Sequence, residues 1–415
     1  MRILWVKGGK LLPVDTGGKI RSYNILRHLS RKNDVTFLSY YGGQRDLSYE
    51  ASIREKLPGT QTINTGAPEG LLGQSLDYIL RLPSKAPYAV TKFTDREAQR
   101  RVAKWYAEGG FDVAVCDFLS ASLNFPDRLA IPTVLFQHNV ETILWQRLAK
   151  TESAPVRRLS YRIEAAKMAR YESKALRRFH HVIAVSDNDR DSMLAFEPSC
   201  PITVVPTGVD TEQYPMAPPA SAEPPIVVFT GSMDWEPNLD AVERFCREIW
   251  PSILEVFPNA RFQAVGRNPH PRIRRLASPS VEVTGTVPSV ATYLRDASVV
   301  VVPLYIGGGT RLKIFEAMAM GKALVSTSIG AEGLDVVSGR DLLLADDPQA
   351  FAECVINLLR DGVLRRRYEE AAAMQARRYD WAGIAERFAE VLQTTVAEFH
   401  EPGAVRGIPP MPVNA

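Results

Sequence analysis

Residues 299–321 read V-V-V-V-P-L-Y-I-G-G-G-T-R-L-K-I-F-E-A-M-A-M-G. Four consecutive valines are apolar on both faces, as a strand in the interior of a parallel sheet requires. Gly307, Gly308 and Gly309 then permit a tight turn and close approach of the backbone to a ligand. Leu312, Phe315 and Ala319 recur at helical spacing. A buried strand that passes through a glycine loop into a helix is the repeating unit of doubly wound α/β folds, which bind ligands at the carboxyl ends of their strands. Thr310 is placed to cap the helix, whose first N–H groups favour an anion. Arg311 and Lys313 add cations there, and Glu316 follows Lys313 by one turn on the same face. The stretch reads as an anion cradle, with a surface Lys313–Glu316 ion pair as the plainer alternative. It lacks the G-x-x-x-x-G-K-[ST] of a phosphate loop, and no G-x-G-x-x-G dinucleotide fingerprint occurs here.

Working outward, the same logic recurs twice. Arg2 to Val6, a helical stretch from Lys19 to Arg31, and Asp34 to Tyr40 form a βαβ pattern, and further strands are expected at 112–116, 133–137, 181–186 and 202–206. Residues 211–225, T-E-Q-Y-P-M-A-P-P-A-S-A-E-P-P, lack either periodicity and read as a linker. A second cycle begins at 226–230 and continues through strands at 261–265, 281–284, 299–302, 323–326 and 342–345, with a helix over 239–257. The fold class is therefore α/β, with two facing Rossmann-like doubly wound domains. Their expected bounds are 1–210, a 211–225 linker, 226–378, a helix over 379–400 and a disordered tail over 401–415. Trp381, Ile384, Ala385, Phe388 and Leu392 give that helix one stripe to bury.

The whole chain has 415 residues, 45% of them hydrophobic and 23% charged, and a formal net charge of +3. That length exceeds what one core supports, and that charge is too small to make nucleic acid the default partner. The four cysteines form no C-x-x-C and the histidines no H-E-x-x-H, so neither a protein-built metal site nor a cofactor is expected. The D-N-D at 187–189 reads as a capping box with Ser186 rather than a metal triplet. The opening apolar run is too short for a signal peptide and no run reaches a membrane-spanning length, so a cytoplasmic location is expected, with peripheral contact as an alternative. Residues 157–178 carry eight Lys and Arg against two Glu. They read as a solvated face without a bulky apolar stripe, contact with anionic lipid being the alternative.

Two more segments bear on chemistry. Gly17 and Gly18 precede the first helix, where a tight turn competes with backbone approach to a ligand. His138, in H-N-V-E, closes the strand at 133–137; a lone histidine is usually structural, but its place at a strand's carboxyl end favours function.

Together T-G-G-K-I-R-S, F-Q-H-N-V-E, V-S-D-N-D-R, V-P-T-G-V-D, F-T-G-S-M, G-T-V-P-S-V and the glycine-rich stretch, in this order, resemble the retaining glycosyltransferases of family four, of GT-B architecture. The resemblance implies transfer of a sugar from a nucleoside-diphosphate sugar, UDP ahead of GDP, to a hydroxyl acceptor in glycan, polysaccharide or glycolipid synthesis, with retention and without metal. The acceptor would be a glycan or lipid-linked. It further implies that Gly17, Gly18, Gly231, Val287, Gly308, Gly309, Thr310, Leu312 and Glu316 meet the donor. Glu316 would bind the ribose, Val287 would border the base, His138 would orient the sugar, and the last helix would cross back onto the first domain. Two departures stand out. Gly308 replaces the family's first glutamate, and Ser232 and Asn238 stand where a phosphate-binding basic pair is usual; Arg311 and Lys313 are the expected substitutes. A nucleotide-sugar 2-epimerase and a non-catalytic nucleotide-sugar-binding subunit are the competing readings.

Overall fold

The computed structural model describes residues 1–67, 71–218, 223–306 and 311–401. The chain groups into two compact units, one of Met1–Pro206 with the segment beginning at Ile384, the other of Thr207–Gly383. Residues 211–218, inside the stretch read as a linker, belong to the second unit, where the Ala217 N–H donates to the Met320 carbonyl. Of the tail read as disordered, all beyond residue 401 lies outside the described residues.

The first unit holds a seven-stranded sheet: β1 Arg2–Gly8, β2 Asp34–Tyr41, β3 Thr60–Asn64, β4 Val113–Asp117, β5 Thr133–Phe136, β6 His181–Ala184 and β7 Ile202–Val204. Their order is β3-β2-β1-β4-β5-β6-β7 and every pairing is parallel. The interior strands are the apolar runs expected, buried along most of their length because helices cover both faces. Strand β3 is absent from the expected set. Its sequence T-Q-T-I-N mixes polar and apolar residues because it lies at the sheet's edge, half-buried.

The second unit holds six parallel strands, β8 Ile226–Thr230, β9 Arg261–Val265, β10 Val281–Gly285, β11 Val299–Val302, β12 Leu324–Ser326 and β13 Leu343–Leu344, in the order β10-β9-β8-β11-β12-β13. The single helix expected over 239–257 is broken: Glu236–Arg244 passes through a wider π turn at Phe245–Ile249 into Trp250–Val256. Pro251 has no N–H for a regular turn, and the backbone adjusts just before it.

The helix Trp381–His400 starts in the second unit and contributes Ile384 onward to the first. Phe388 is fully buried, stacked on Trp5 with ring centroids 5.4 Å apart and set edge-on to Phe136 at 5.1 Å. Within the second unit Trp381 lies on Gly208, where a Cβ would meet two ring carbons at 2.7 Å, so only glycine leaves room for the indole.

Candidate functional site

In the second unit the site is built at the carboxyl ends of β8 and β9. Strand β8 runs into Gly231, and the two following loops are laced together by Gly231 N–H to Val265 O (2.9 Å), Met233 N–H to Arg267 O (2.9 Å) and His270 N–H to Met233 O (3.0 Å). A Cβ at Gly231 would stand 2.7 Å from Asn238 Nδ2 and 2.8 Å from Lys313 Nζ, so any larger residue there would displace these two side chains from their present positions.

The helix Leu312–Ala319 buries Ile314, Phe315 and Met318 and leaves Lys313 and Glu316 half-buried. Lys313 does not pair with Glu316 at salt-bridge distance. Its Nζ donates to Asn238 Oδ1 at 2.9 Å and lies 4.1 Å from the centre of the Phe229 ring. Burial, with the nearby Arg311 charge second, brings its pKa down to about 7. Glu316 accepts a hydrogen bond from the Tyr214 hydroxyl, and burial raises its carboxyl above the ordinary range against that bond and Lys313. Arg311 is buried, its guanidinium 6.0 Å from the Trp235 ring. Leu312 is half-buried at the start of the helix, and Val287 is half-buried in the loop after β10. Gly308, Gly309 and Thr310 lie outside the described residues.

Asn238 and Ser232, where the resemblance leads to the expectation of a basic pair, each contact a cation from elsewhere in the unit. Asn238 takes Lys313, and Ser232 accepts from Arg267 Nε at 3.1 Å. Sequence reasoning missed Arg267. Only the lacing of the β8 and β9 loops brings it to Ser232, 35 residues away.

In the first unit, His138 closes β5 as expected, but its imidazole is fully enclosed. Nε2 lies 2.8 Å from Asp117 Oδ1, Nδ1 lies 3.4 Å from Arg21 Nη1, and Phe118 stacks on the ring at 3.7 Å and 5°. Burial lowers the imidazole to about 3, outweighing Asp117, so the ring is neutral at pH 7. An arginine cannot accept, so Nδ1 is the acceptor and Nε2–H donates to Asp117. Burial pushes the Asp117 carboxyl up, but Lys7 at 3.3 Å and the His138 bond outweigh it and hold the group ionised. Phe118 covers one face of the imidazole, and Phe136 lies against it at 4.1 Å.

Phe118 itself has φ = 71°, in the region that side chains rarely adopt. It borders a cavity of about 590 Å³ at the carboxyl ends of β1, β2, β4 and β5, whose walls include Lys7, Lys10, Lys19, Lys92 and Glu141. Gly18 is fixed by this arrangement, since a Cβ would collide with the Phe118 ring, whereas at Gly17 it would meet nothing within 4 Å. Glu141 is pushed up to about 7 by burial and by Glu172. The buried Glu172 in turn accepts from Gln137 Nε2 (2.6 Å), the N–H of Glu141 (3.0 Å) and of Thr142 (2.9 Å), and Thr142 Oγ1 (2.6 Å), which pins the H-N-V-E loop.

Ser186 caps the helix Asp187–Leu194 by accepting from the Asp189 N–H, the role expected of it. No group of three or more potential metal ligands occurs among the described residues, and no described helix is long and apolar enough to cross a membrane.

Two parallel-stranded α/β units with these loop sites define a two-domain α/β protein of GT-B fold. Solved structures of that fold superpose on most of the chain. Sucrose-phosphate synthase from Thermosynechococcus elongatus matches with TM-score 0.67 at 16% identity, covering 96% of this chain and 99% of its own. Anabaena HepE in complex with UDP matches with TM-score 0.63 at 14% identity, covering 95% and 100%. The family model described as Glycosyltransferase Family 4 matches residues 16–213, and that described as Glycosyl transferases group 1 matches residues 224–361. The chain belongs to the family-four glycosyltransferases. It is similar to a phosphatidyl-myo-inositol mannosyltransferase of Mycobacterium leprae, 31% identical over 46% of this chain, a match that spans only about half of that relative (53%). The protein of that name from Mycolicibacterium smegmatis is 27% identical over 71% of this chain and 74% of its own length.

Proposed function

We propose that this glycosyltransferase moves a hexosyl group from a nucleoside-diphosphate sugar, with UDP preferred to GDP, onto a hydroxyl of a glycan or lipid-linked acceptor, with retention and without a metal ion. The observation that carries this reading is the pair of relocated cations, Lys313 on Asn238 and Arg267 on Ser232, because a diphosphate leaving group needs fixed positive charge as the bond to C1 breaks. Buried Arg311 adds to the same field. Glu316, oriented by Tyr214, is an acceptor-only carboxylate suited to two ribose hydroxyls. The similarity to mannosyltransferases named for a phosphatidylinositol acceptor supports a glycolipid acceptor, and the UDP complex of a protein of this fold supports UDP.

In the reaction the C1–O bond to the diphosphate breaks and the acceptor oxygen bonds to C1 on the same face. The acceptor proton passes to the departing phosphate oxygen, and no side-chain nucleophile is required. The cavity beside Phe118 holds the acceptor, and His138 serves as a neutral, oriented ring reached when Phe118 moves.

The test is mass spectrometry of products from a panel of UDP- and GDP-sugars with polyprenyl phosphate, phosphatidylinositol and oligosaccharide acceptors, with EDTA present. The expected result is a glycosylated acceptor whose anomeric configuration, read by NMR, equals that of the donor. An inverted product, an epimerised donor, binding without turnover, or activity that returns only with magnesium or manganese would each overturn part of the reading.

A further inference from the structure

We propose that the helix Pro155–Arg178, with the helices packed beside it, docks the first unit onto a bilayer bearing anionic phospholipid. Val156, Leu159 and Ile163 are 82%, 60% and 41% exposed. At 3.6 residues per turn they fall within about 60° of one another, so they form one stripe, and Arg170 and Lys174 continue it along the helix. Residues 157–178 are therefore not the purely solvated face expected from their charges: an apolar stripe interleaves with the cations.

The stripe has neighbours of the same kind. The helix Leu71–Arg81 is tied to this one by the Tyr78 hydroxyl and Ser160 Oγ at 2.6 Å and by Lys167 Nζ to the Leu82 carbonyl at 2.8 Å. Ile79 and Leu80 of that helix, and Leu82 just after it, are exposed. On the helix Glu141–Thr151, packed through Trp145 against Tyr161 at 5.8 Å, Leu144 and Leu148 are exposed one turn apart. Apolar patches of this kind on a protein surface mark interaction sites.

Charge identifies the occupant. Arg162, Arg170 and Lys174 are exposed and form no ion pair at salt-bridge distance among the described residues, whereas the helix's carboxylates, Glu164 and Glu172, are buried and hydrogen-bonded inward. Long cationic side chains around leucine and isoleucine suit the boundary between phosphate headgroups and acyl chains, where stems bury and charges reach the phosphates. A protein partner or a second copy of the chain would leave these cations without a counterpart unless it presented a matching acidic face.

The experiment is co-sedimentation of the full chain with vesicles of phosphatidylglycerol plus phosphatidylcholine and with vesicles of phosphatidylcholine alone. It needs neither donor nor acceptor, so its outcome is independent of the transfer reaction. The wild-type chain is expected to pellet with the anionic vesicles and to be released by salt. Val156→Ser, Leu159→Ser, Ile163→Ser combined should weaken the partition at least ~10-fold. Arg162→Ser, Arg170→Ser, Lys174→Ser combined should abolish the preference for anionic vesicles, while Leu159→Phe, which keeps the apolar surface, should bind as wild type. Three results would overturn the proposal: wild type in the supernatant with both vesicles, an apolar triple variant that binds as wild type, or sedimentation velocity showing a wild-type dimer that this triple variant dissociates.

Discussion

Lys313 donates through Nζ to Asn238 Oδ1 at 2.9 Å across 75 residues of sequence, so a lysine of one helix is fixed against an asparagine of another. Burial holds this ammonium at about 7 instead of its ordinary 10.5. Between those values the unfolded chain binds the extra proton, so this group makes the folded state more stable as pH rises through the window. A bound diphosphate favours the charged form and reverses the shift. UDP binding is therefore expected to take up a proton near neutral pH, with affinity falling by up to about tenfold per pH unit above 7. Calorimetry in buffers of different ionisation enthalpy reads the uptake directly. In Lys313→Met both the uptake and the pH dependence should vanish.

Glu316→Ala is expected to weaken UDP binding by about 1.5–3 kcal/mol, the range for a hydrogen bond to a charged group. Tyr214→Phe removes only the group that orients the carboxylate and should cost less. Unchanged affinity in a folded Glu316→Ala chain would remove the ribose assignment.

Glu141 shows the opposite linkage to Lys313. Its carboxyl is raised from 4.5 to about 7, so the folded state holds the extra proton between those values and loses stability as pH rises through them. Glu141→Gln should remove this decline, and urea unfolding at a series of pH values from 4.5 to 7 compares the two chains. A stability difference that stays flat with pH would refute the raised carboxyl.

Phe388→Ala should destabilise the first unit by about 3–5 kcal/mol, the cost of removing a buried phenylalanine, because it leaves a hole between Trp5 and Phe136. Denaturant unfolding followed by tryptophan fluorescence measures the loss. A change below about 1 kcal/mol would mean that the site collapses without cost.

Interior strands such as Val299–Val302 were legible because burial on both faces leaves an unbroken apolar run. Edge strand β3 was not, since three of its five residues are only partly buried and its sequence presents no clear alternating apolar face. The glycines and cations of the second unit stood out locally, but their pairing did not. Nothing near Ser232 in sequence points to Arg267, and the contact exists because β9 lies beside β8. His138 was identified by position, while its burial beneath Phe118 depends on a positive-φ residue in another loop. The stripe Val156, Leu159, Ile163 was not legible because the eight cations interleaved with and following it dominate the composition of that helix.

The stacking of Phe388 on Trp5 also orders events during synthesis. Strand β1 leaves the ribosome early, but the aromatic ring that covers Trp5 is made only after the whole second unit has been translated. The second unit can close its core before the first can. Until then Trp5 and Phe136 lack the ring that packs against both, and the apolar surface it covers persists for as long as translation takes to reach the last helix.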